Sequence, residues 1–358
     1  MTLTQFLSRG RSFCREQLIP YFLSRKRKPF AVQIREIKQI APFEEAPIST
    51  YLSRRLYETG SRGTLNYIPV RFVEQFILEL NSRFPANGRP GRWEEGRIGF
   101  AIDKFAFWQV MRGAGLPAVP IILASLGDKS WIDGNGNPVN RETVATILNE
   151  GMDKLFVKKR FGLAGQGTLV PDSGKTVDRL LKRSHLIVQP RFRQHPAMAA
   201  FHPGSLNTIR LITFCDEEGV ELTCGAIRVG RGGASVDNVS LGGLAAPLDP
   251  DSGTVFKAAH GYAKHEPRQR FYATHPETGA KIRGFRVPFW DECRKLVMQA
   301  SEFIGPGTTL GWDLAIGPDG PKLLETNDRW DPNFMLAHFD LKSTRLGSAA
   351  WRAMAPQE

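Results

Sequence analysis

Between Tyr67 and Phe84, apolar residues recur every three or four positions at Phe72, Val73, Phe76, Ile77 and Leu80. This period predicts a core-facing helix that ends near Pro85. The stretch after it, NSRFPANGRPGRWEEGRIG, has no period and is dense in Gly and Pro, so it reads as a loop and a domain boundary. In IDKFAFWQVMRGAGLPAVPIILAS, Asp103 suits an N-cap, Phe105, Trp108 and Met111 form a buried stripe, and Gly113 to Gly115 stop the helix before a strand. Strands are predicted at KLFVKK, LIVQP, NTIRLITF and ELTCGAIRV, the last two joined as a hairpin across Asp216-Glu217-Glu218-Gly219. FWDECRKLVMQASEFIG returns to the helical period, with Trp290, Leu296, Val297, Ala300 and Ile304 available for packing. Hairpins interspersed with helices predict the α+β class rather than a regular βαβ winding.

The pattern changes again in LGWDLAIGPDGPKLLETNDRWDPN, where an acid interrupts one apolar run and an acid and an amide interrupt the next. Pro318-Asp319-Gly320 suits a three-residue hairpin loop with Gly left-handed. If Gly317 faces Pro321, Asp313 sits opposite Glu325. Asn327 then joins Glu325 on the same face, while Trp312, Leu314, Ile316 and Leu324 turn to the other and can bury. Two carboxylates about 5 Å apart between Cβ atoms repel unless a cation intervenes. Their oxygens and that of the amide suit Mg²⁺, which keeps further positions for water and phosphate. A hairpin with one polar, solvated face is the alternative for this triplet alone.

Composition narrows the class without naming a partner. The chain has 358 residues, 41% hydrophobic and 23% charged, enough for a soluble protein of two or three lobes with a real core. Its net charge of +12 favours phosphates, uronic acids, nucleic acid or an anionic membrane. The scattered cysteines Cys14, Cys215, Cys224 and Cys293 suggest neither disulfides nor a zinc site, so a reducing cytoplasm is expected. The first thirty or so residues interleave Arg9, Arg11, Arg15, Arg25, Lys26, Arg27 and Lys28 with Phe6, Leu7, Phe13, Leu18, Tyr21 and Phe22. Charge breaks this run before it could serve as a signal peptide, and no membrane span is apparent elsewhere. A helix resting on a membrane surface or an acidic polymer fits it, as does a solvated helix docked on the body.

Other elements carry candidate phosphate chemistry. LFVKKRFGLAGQGTLV ends a strand in Lys158 and Lys159, then supplies Gly162, Gly165 and Gly167, whose backbone could approach phosphate closely. A flexible turn is the plain alternative. SGKT at Ser173 to Thr176 is no P-loop, because Leu169 stands where the first Gly is needed. VGRGGASVDNVSLGG sets Arg231 among glycines, with Arg228 on the strand before it and Arg210 in NTIR; arginines of this kind can clamp phosphate or carboxylate. The histidines, among them His195, His202, His260 and His265, lack metal spacing and are read as structural or solvent-facing.

With these residues in hand, the chain resembles the ATP-grasp superfamily, and most closely its sugar-transfer-associated branch. The resemblance runs from about Gly99 to His338 and rests on HPGSLNTIRLITF, VGRGGASVDNVSLGGLAAPLD and GWDLAIGPDGPKLLETN. It implies ATP sandwiched between two α+β lobes. Lys104 and Lys158 resemble the two phosphate lysines, with Gly165 and Gly167 in the glycine flap, Gln189 at the adenine hinge, and Phe192 walling the pocket. Asp313, Glu325 and Asn327 fall on the metal-ligand pattern, for Mg²⁺ with Mn²⁺ able to substitute. Lys159 stands where a proline is common, and Phe161 and Ala164 interrupt the flap.

The resemblance divides the chain into a basic, mainly helical region (1–95), a first lobe (96–188), a second lobe (189–345) and a tail (346–358). It implies an ADP-forming carboxylate-amine ligase working through an acyl phosphate, with Arg210, Arg228 and Arg231 around the transferring group. The expected substrates are a small carboxylate and an amine, sugar-linked and tied to surface polysaccharide. No nucleic acid is expected; the location is cytoplasmic, with peripheral membrane contact open to residues 1–30. A small-molecule kinase built on the same site, or a non-catalytic basic adaptor, are the competing readings.

Overall fold

The computed structural model describes residues 13–24, 27–43, 47–53, 56–57, 68–81, 99–161, 172–234, 236–261 and 270–354. Its strands are β1 (Leu123–Ser125), β2 (Trp131–Asp133), β3 (Pro138–Val139), β4 (Leu155–Lys159), β5 (Leu186–Pro190), β6 (Thr208–Asp216), β7 (Gly219–Val229), β8 (Leu244–Leu248), β9 (Thr308–Gly317) and β10 (Gly320–Asn327). They form two antiparallel five-stranded sheets, in the orders β3-β2-β1-β5-β4 and β10-β9-β6-β7-β8. With helices between and around them, this is the α+β architecture expected from the chain's patterning.

Alternation along the strands decides what each sheet presents. In the first sheet Leu155 and Val157 of β4 and Leu186 and Val188 of β5 bury in a core with Val144, Leu148, Val177 and Leu180 from the helices Arg141–Glu150 and Gly174–Leu180. The intervening residues Phe156 and Lys158, paired with Gln189 and Ile187, lie on the opposite face. In the second sheet Ile209, Leu211, Ile227, Val229, Leu310, Trp312, Leu314 and Ile316 face the helix Trp290–Ile304, which buries Trp290, Leu296, Val297 and Ala300 against them.

The other face of that sheet is divided along its length. At one end Ile212, Phe214, Cys224 and Ala226 pack on the helix Val70–Asn81 and on the chain's last elements through Trp330, Met335, Leu346 and Ala350. At the other end the same face carries Arg210, Arg228 and Asp313, which no apolar helix could cover without burying unpaired charge. Residues 346–354, expected as a tail, lie within a helix, Arg345–Met354, that docks on this face beside Val70–Asn81. The boundary loop after Asn81 lies outside the described residues.

Asp103 is the N-cap foreseen for the helix Lys104–Gly113, accepting from the backbone N–H of Phe105 and Ala106. This helix is a wedge. Phe105 and Trp108 pack with Ile121, Ala124 and Ile187 of the first lobe, while Phe107 and Met111 enter the core of the second. The link is tightened where Val119 donates to the carbonyl of Leu323 at 2.9 Å and Leu323 donates to that of Pro117 at 2.9 Å, extending the second sheet beyond β10.

The hairpin β9-β10 brings Asp313 opposite Glu325, but not through the expected turn. Gly320 pairs with Gly317 and Pro321 with Ile316, so the loop holds only Pro318 and Asp319. An irregularity between Leu323 and Glu325 inserts one residue and restores the anticipated register beyond it. Leu323, opposite Leu314, is therefore the buried residue, and Leu324, expected in the core, is the extra one and only partly buried.

Candidate active site

The polar end of the second sheet faces the lysine-bearing face of the first. Register places Arg210 beside Asp313 on β6 and β9, and Arg228 one strand further on β7, paired with Thr208. Arg210 grips Asp313 with two parallel bonds, Nε to Oδ1 and Nη2 to Oδ2, each 2.7 Å. Arg228 adds a third, Nη2 to Oδ2 at 2.8 Å. Burial works against the Asp313 carboxylate, yet the two guanidiniums outweigh it and hold its pKa down to about 2. Burial likewise opposes the charge on Arg228, and Asp313 and Asp237 overcome it, raising its pKa above the ordinary arginine value.

Asp237 completes this lattice and was not singled out from the sequence. Its Oδ2 accepts from the backbone N–H of Thr208 at 2.9 Å and from the Thr208 hydroxyl, and lies 3.8 Å from Arg228 Nε. Burial pushes its pKa up against the pull of Arg228. The signal available was an acid inside VDNVSLGG, a segment in which Arg231 drew the attention. Gly243 explains part of that motif, since a Cβ there would lie 2.3 Å from the carbonyl oxygen of Asp237.

Across from the arginines stand the two predicted lysines. Lys104, at the tip of its helix, meets Glu325 Oε2 at 3.3 Å. Lys158 projects from β4 into the field of Glu325, Lys104 and Asp313, and burial lowers its pKa to about 8. Asp103 and Arg160 brace this side. Arg160 Nε donates to Asp103 Oδ1 at 2.8 Å with a second bond from Nη2 to Oδ2, and the N–H of Lys104 donates to the Arg160 carbonyl at 3.2 Å. The Lys104 helix and the end of the Lys158 strand are thereby fastened together; the partners lie 57 residues apart, and no local pattern announced them.

The remaining candidates sit around this centre. Gln189 is buried on the Lys158 face and donates to the Val119 carbonyl at 3.2 Å. Phe192 lies against the hairpin end, where Gly317 leaves the room: a Cβ there would come within 3.2 Å of the Phe192 ring. Arg231 is not drawn into the arginine lattice, because its Nε donates to the Gly242 carbonyl at 2.5 Å. Its loop is pinned by His202 Nε2 at the Gly232 carbonyl, 2.9 Å, and by His275 Nε2 at the Gly230 carbonyl, 2.8 Å. Gly165 and Gly167 fall outside the described residues.

The donor set can be tested against a divalent cation. Among the described residues, no group of three or more His, Cys, Asp or Glu could hold a metal ion. Both oxygens of Asp313 are taken by arginines. Glu325 keeps a carboxylate engaged by Lys104, and the Asn327 Nδ2 is buried without a hydrogen-bond partner among the described residues. Mg²⁺ takes oxygen ligands while retaining its water, so the Glu325 carboxylate and the Oδ1 of Asn327, not its Nδ2, are the atoms of the kind it binds. Of the three foreseen ligands, Glu325 and Asn327 offer oxygens of that kind, and Asp313 is held by Arg210 and Arg228.

The sequence profile of the sugar-transfer-associated ATP-grasp family matches residues 173–342. No curated protein matches the chain. Among solved structures, N5-carboxyaminoimidazole synthase from Aspergillus clavatus, in complex with ADP and 5-aminoimidazole ribonucleotide, aligns at a TM-score of 0.39 and 12% identity over 65% of this chain and 46% of that one. Biotin carboxylase from Campylobacter jejuni aligns at 0.42 and 12% identity, over 73% and 47%. The ATP-grasp ligase PsnB with its minimal precursor aligns at 0.37 and 16% identity, over 71% and 60%. The matched part thus spans less than two thirds of each of these structures' own length.

Proposed function

We propose that this chain, whose residues 173–342 match the sugar-transfer-associated ATP-grasp family, is an ATP-dependent, ADP-forming ligase that activates a carboxylate as an acyl phosphate and passes it to an amine. The observation that carries the reading is the convergence of Lys104, Lys158, Arg210 and Arg228 upon Asp313 and Glu325 between two sheets. Cations exceed carboxylates there, and a polyphosphate is the ligand that such an excess would neutralise.

In this reading Lys104 and Lys158 bind the phosphate chain. The bidentate pairing uses Nε and Nη2 of Arg210, which leaves its Nη1 edge for the transferring group, already oriented by Asp313. Arg228, fixed by Asp313 and Thr208, presents its own Nη1 in the same way. A carboxylate and a terminal phosphate repel each other, so these pre-oriented donors lower the barrier where negative charge accumulates. Glu325 and Asn327 would hold Mg²⁺, which supplies charge neutralisation at the phosphates. Gln189 and Phe192 would line the base end of the nucleotide site. The family's description supports a sugar-linked substrate, which we take to be a sugar acid.

The test is a screen for ADP release over carboxylates and amines in the presence of Mg²⁺, with hydroxylamine as a trap. A hydroxamate formed only with ATP and the productive carboxylate is the expected result. A stable phosphorylated alcohol without hydroxamate would replace the ligase by a kinase.

A further inference from the structure

Outside the site, the helix Phe30–Ile40 divides its apolar residues between two sides, with Ile37 and Ile40 packed toward Tyr51, Leu52 and Tyr57 and others turned outward. Its buried side carries Gln33 and Glu36 beside Ile40, whereas Phe30 and Ile34 are 71% and 38% exposed. The inward polar groups are satisfied: Lys28 Nζ bonds Glu36 Oε1 at 2.8 Å and Oε2 at 3.1 Å, Tyr51 donates to Glu36 at 2.5 Å, and Tyr21 and the Lys28 carbonyl engage Gln33. Beside this internal network Ile37 and Ile40 pack inward, and Phe30 and Ile34 stand outward. At the i, i+4, i+8 spacing of one helical stripe, Phe30 and Ile34 are followed by Lys38, with Arg35 alongside.

Neighbouring segments add to the same character. Ile19 and Phe22, one turn apart, are 42% and 67% exposed, and Ile48 is 58% exposed. The exposed charged residues among the described positions 27–43 are Arg27, Arg35 and Lys38, all basic; the acid of this stretch, Glu36, is buried in its pair with Lys28. The adjoining sequence contributes Arg9, Arg11, Arg15, Arg25 and Lys26 against Glu16, Glu44 and Glu45. Bulky apolar side chains flanked by cations are what an interfacial helix presents to anionic lipid. An acidic polymer would engage the cations but give no reason for outward Phe and Ile. No helix among the described residues is long and apolar enough to cross a membrane.

We infer that the Phe30–Ile40 helix and the Ile19–Phe22 turn form a peripheral docking face for an anionic lipid surface, with Phe22, Phe30 and Ile34 entering the headgroup boundary and Arg27, Arg35 and Lys38 pairing with its phosphates. This face is made of residues apart from the nucleotide site and does not depend on how that site is read.

The full chain is sedimented with vesicles of phosphatidylcholine alone and of phosphatidylcholine mixed with phosphatidylglycerol. Binding to the mixed vesicles should exceed binding to the neutral ones about tenfold or more, and should weaken as salt rises from about 0.1 to about 1 M. The double variant Phe30→Ser, Ile34→Ser should lower binding about tenfold, and Arg35→Glu with Lys38→Glu should do the same while removing the preference for phosphatidylglycerol. These positions are exposed, so circular dichroism and nucleotide binding should be unchanged and serve as folding controls. Absence of vesicle binding, equal binding to both vesicle types, or full binding by the double variants would overturn the proposal. So would a concentration-dependent dimer that the Phe30→Ser, Ile34→Ser variant abolishes without any lipid effect, which would make this face an interface between copies of the chain.

Discussion

The two walls of the site carry the same kinds of charge in different states. On β6, β7 and β9, Arg210 and Arg228 are locked to Asp313 by three bonds of 2.7–2.8 Å, and Thr208 and Asp237 hold the next ring of contacts. On the facing wall Lys104 meets Glu325 at 3.3 Å, and Lys158 carries a pKa lowered to about 8 by burial. The arginine wall has its counter-charge built in and acts as a rigid platform. The lysine wall holds positive charge at a cost to folding, and a bound anion would relieve that cost.

The largest expected effect comes from breaking the arginine wall. Asp313→Ala leaves two partly buried guanidiniums without their carboxylate and should lose about 3–5 kcal/mol of stability in urea denaturation. Because its folded pKa lies near 2, below that of an unfolded aspartate, the stabilisation is complete above the unfolded value of about 4 and is lost as pH falls through 2. A loss under about 1 kcal/mol would mean that the arginines are not held as a platform.

Lys158→Met should move stability the other way. A lysine with its pKa depressed when folded binds its proton more weakly than the unfolded chain does, so folding pays for the charge at all pH values below about 8. Removing it should raise the ligand-free stability by about 2 kcal/mol while weakening nucleotide binding about 100-fold or more. In the unaltered protein, nucleotide affinity measured by calorimetry should be flat below pH 8 and decline above it as Lys158 loses its proton. The decline should vanish in the Met variant.

The smallest change in stability is expected for Glu325→Gln. It meets Lys104 at 3.3 Å and its side chain is a quarter exposed, so thermal denaturation should register less than about 1 kcal/mol. The Mg²⁺ concentration needed for half-maximal turnover should nonetheless rise about tenfold.

Much of the site was legible in local pattern. Strand alternation put Asp313, Glu325 and Asn327 on one face, and a charged residue closing an apolar strand marked Lys158. The register opposite Asp313 came out as foreseen only because the irregularity at Leu324 compensates for a turn one residue shorter than Pro-Asp-Gly suggested. A turn type and a bulge shift register by one residue each, and apolar pattern alone does not separate them.

What the sequence by itself determined is therefore which residues share a strand face or a helix tip, because periods of 2 and 3.6 residues are properties of the backbone. The tertiary structure decided which faces meet. It set Arg210 and Arg228 on Asp313, brought Asp237 beside them, tied Asp103 to Arg160, and turned Phe30 and Ile34 outward. Ion pairing and burial depend on distances between segments far apart in the chain, and those distances are fixed only when the sheets and helices pack.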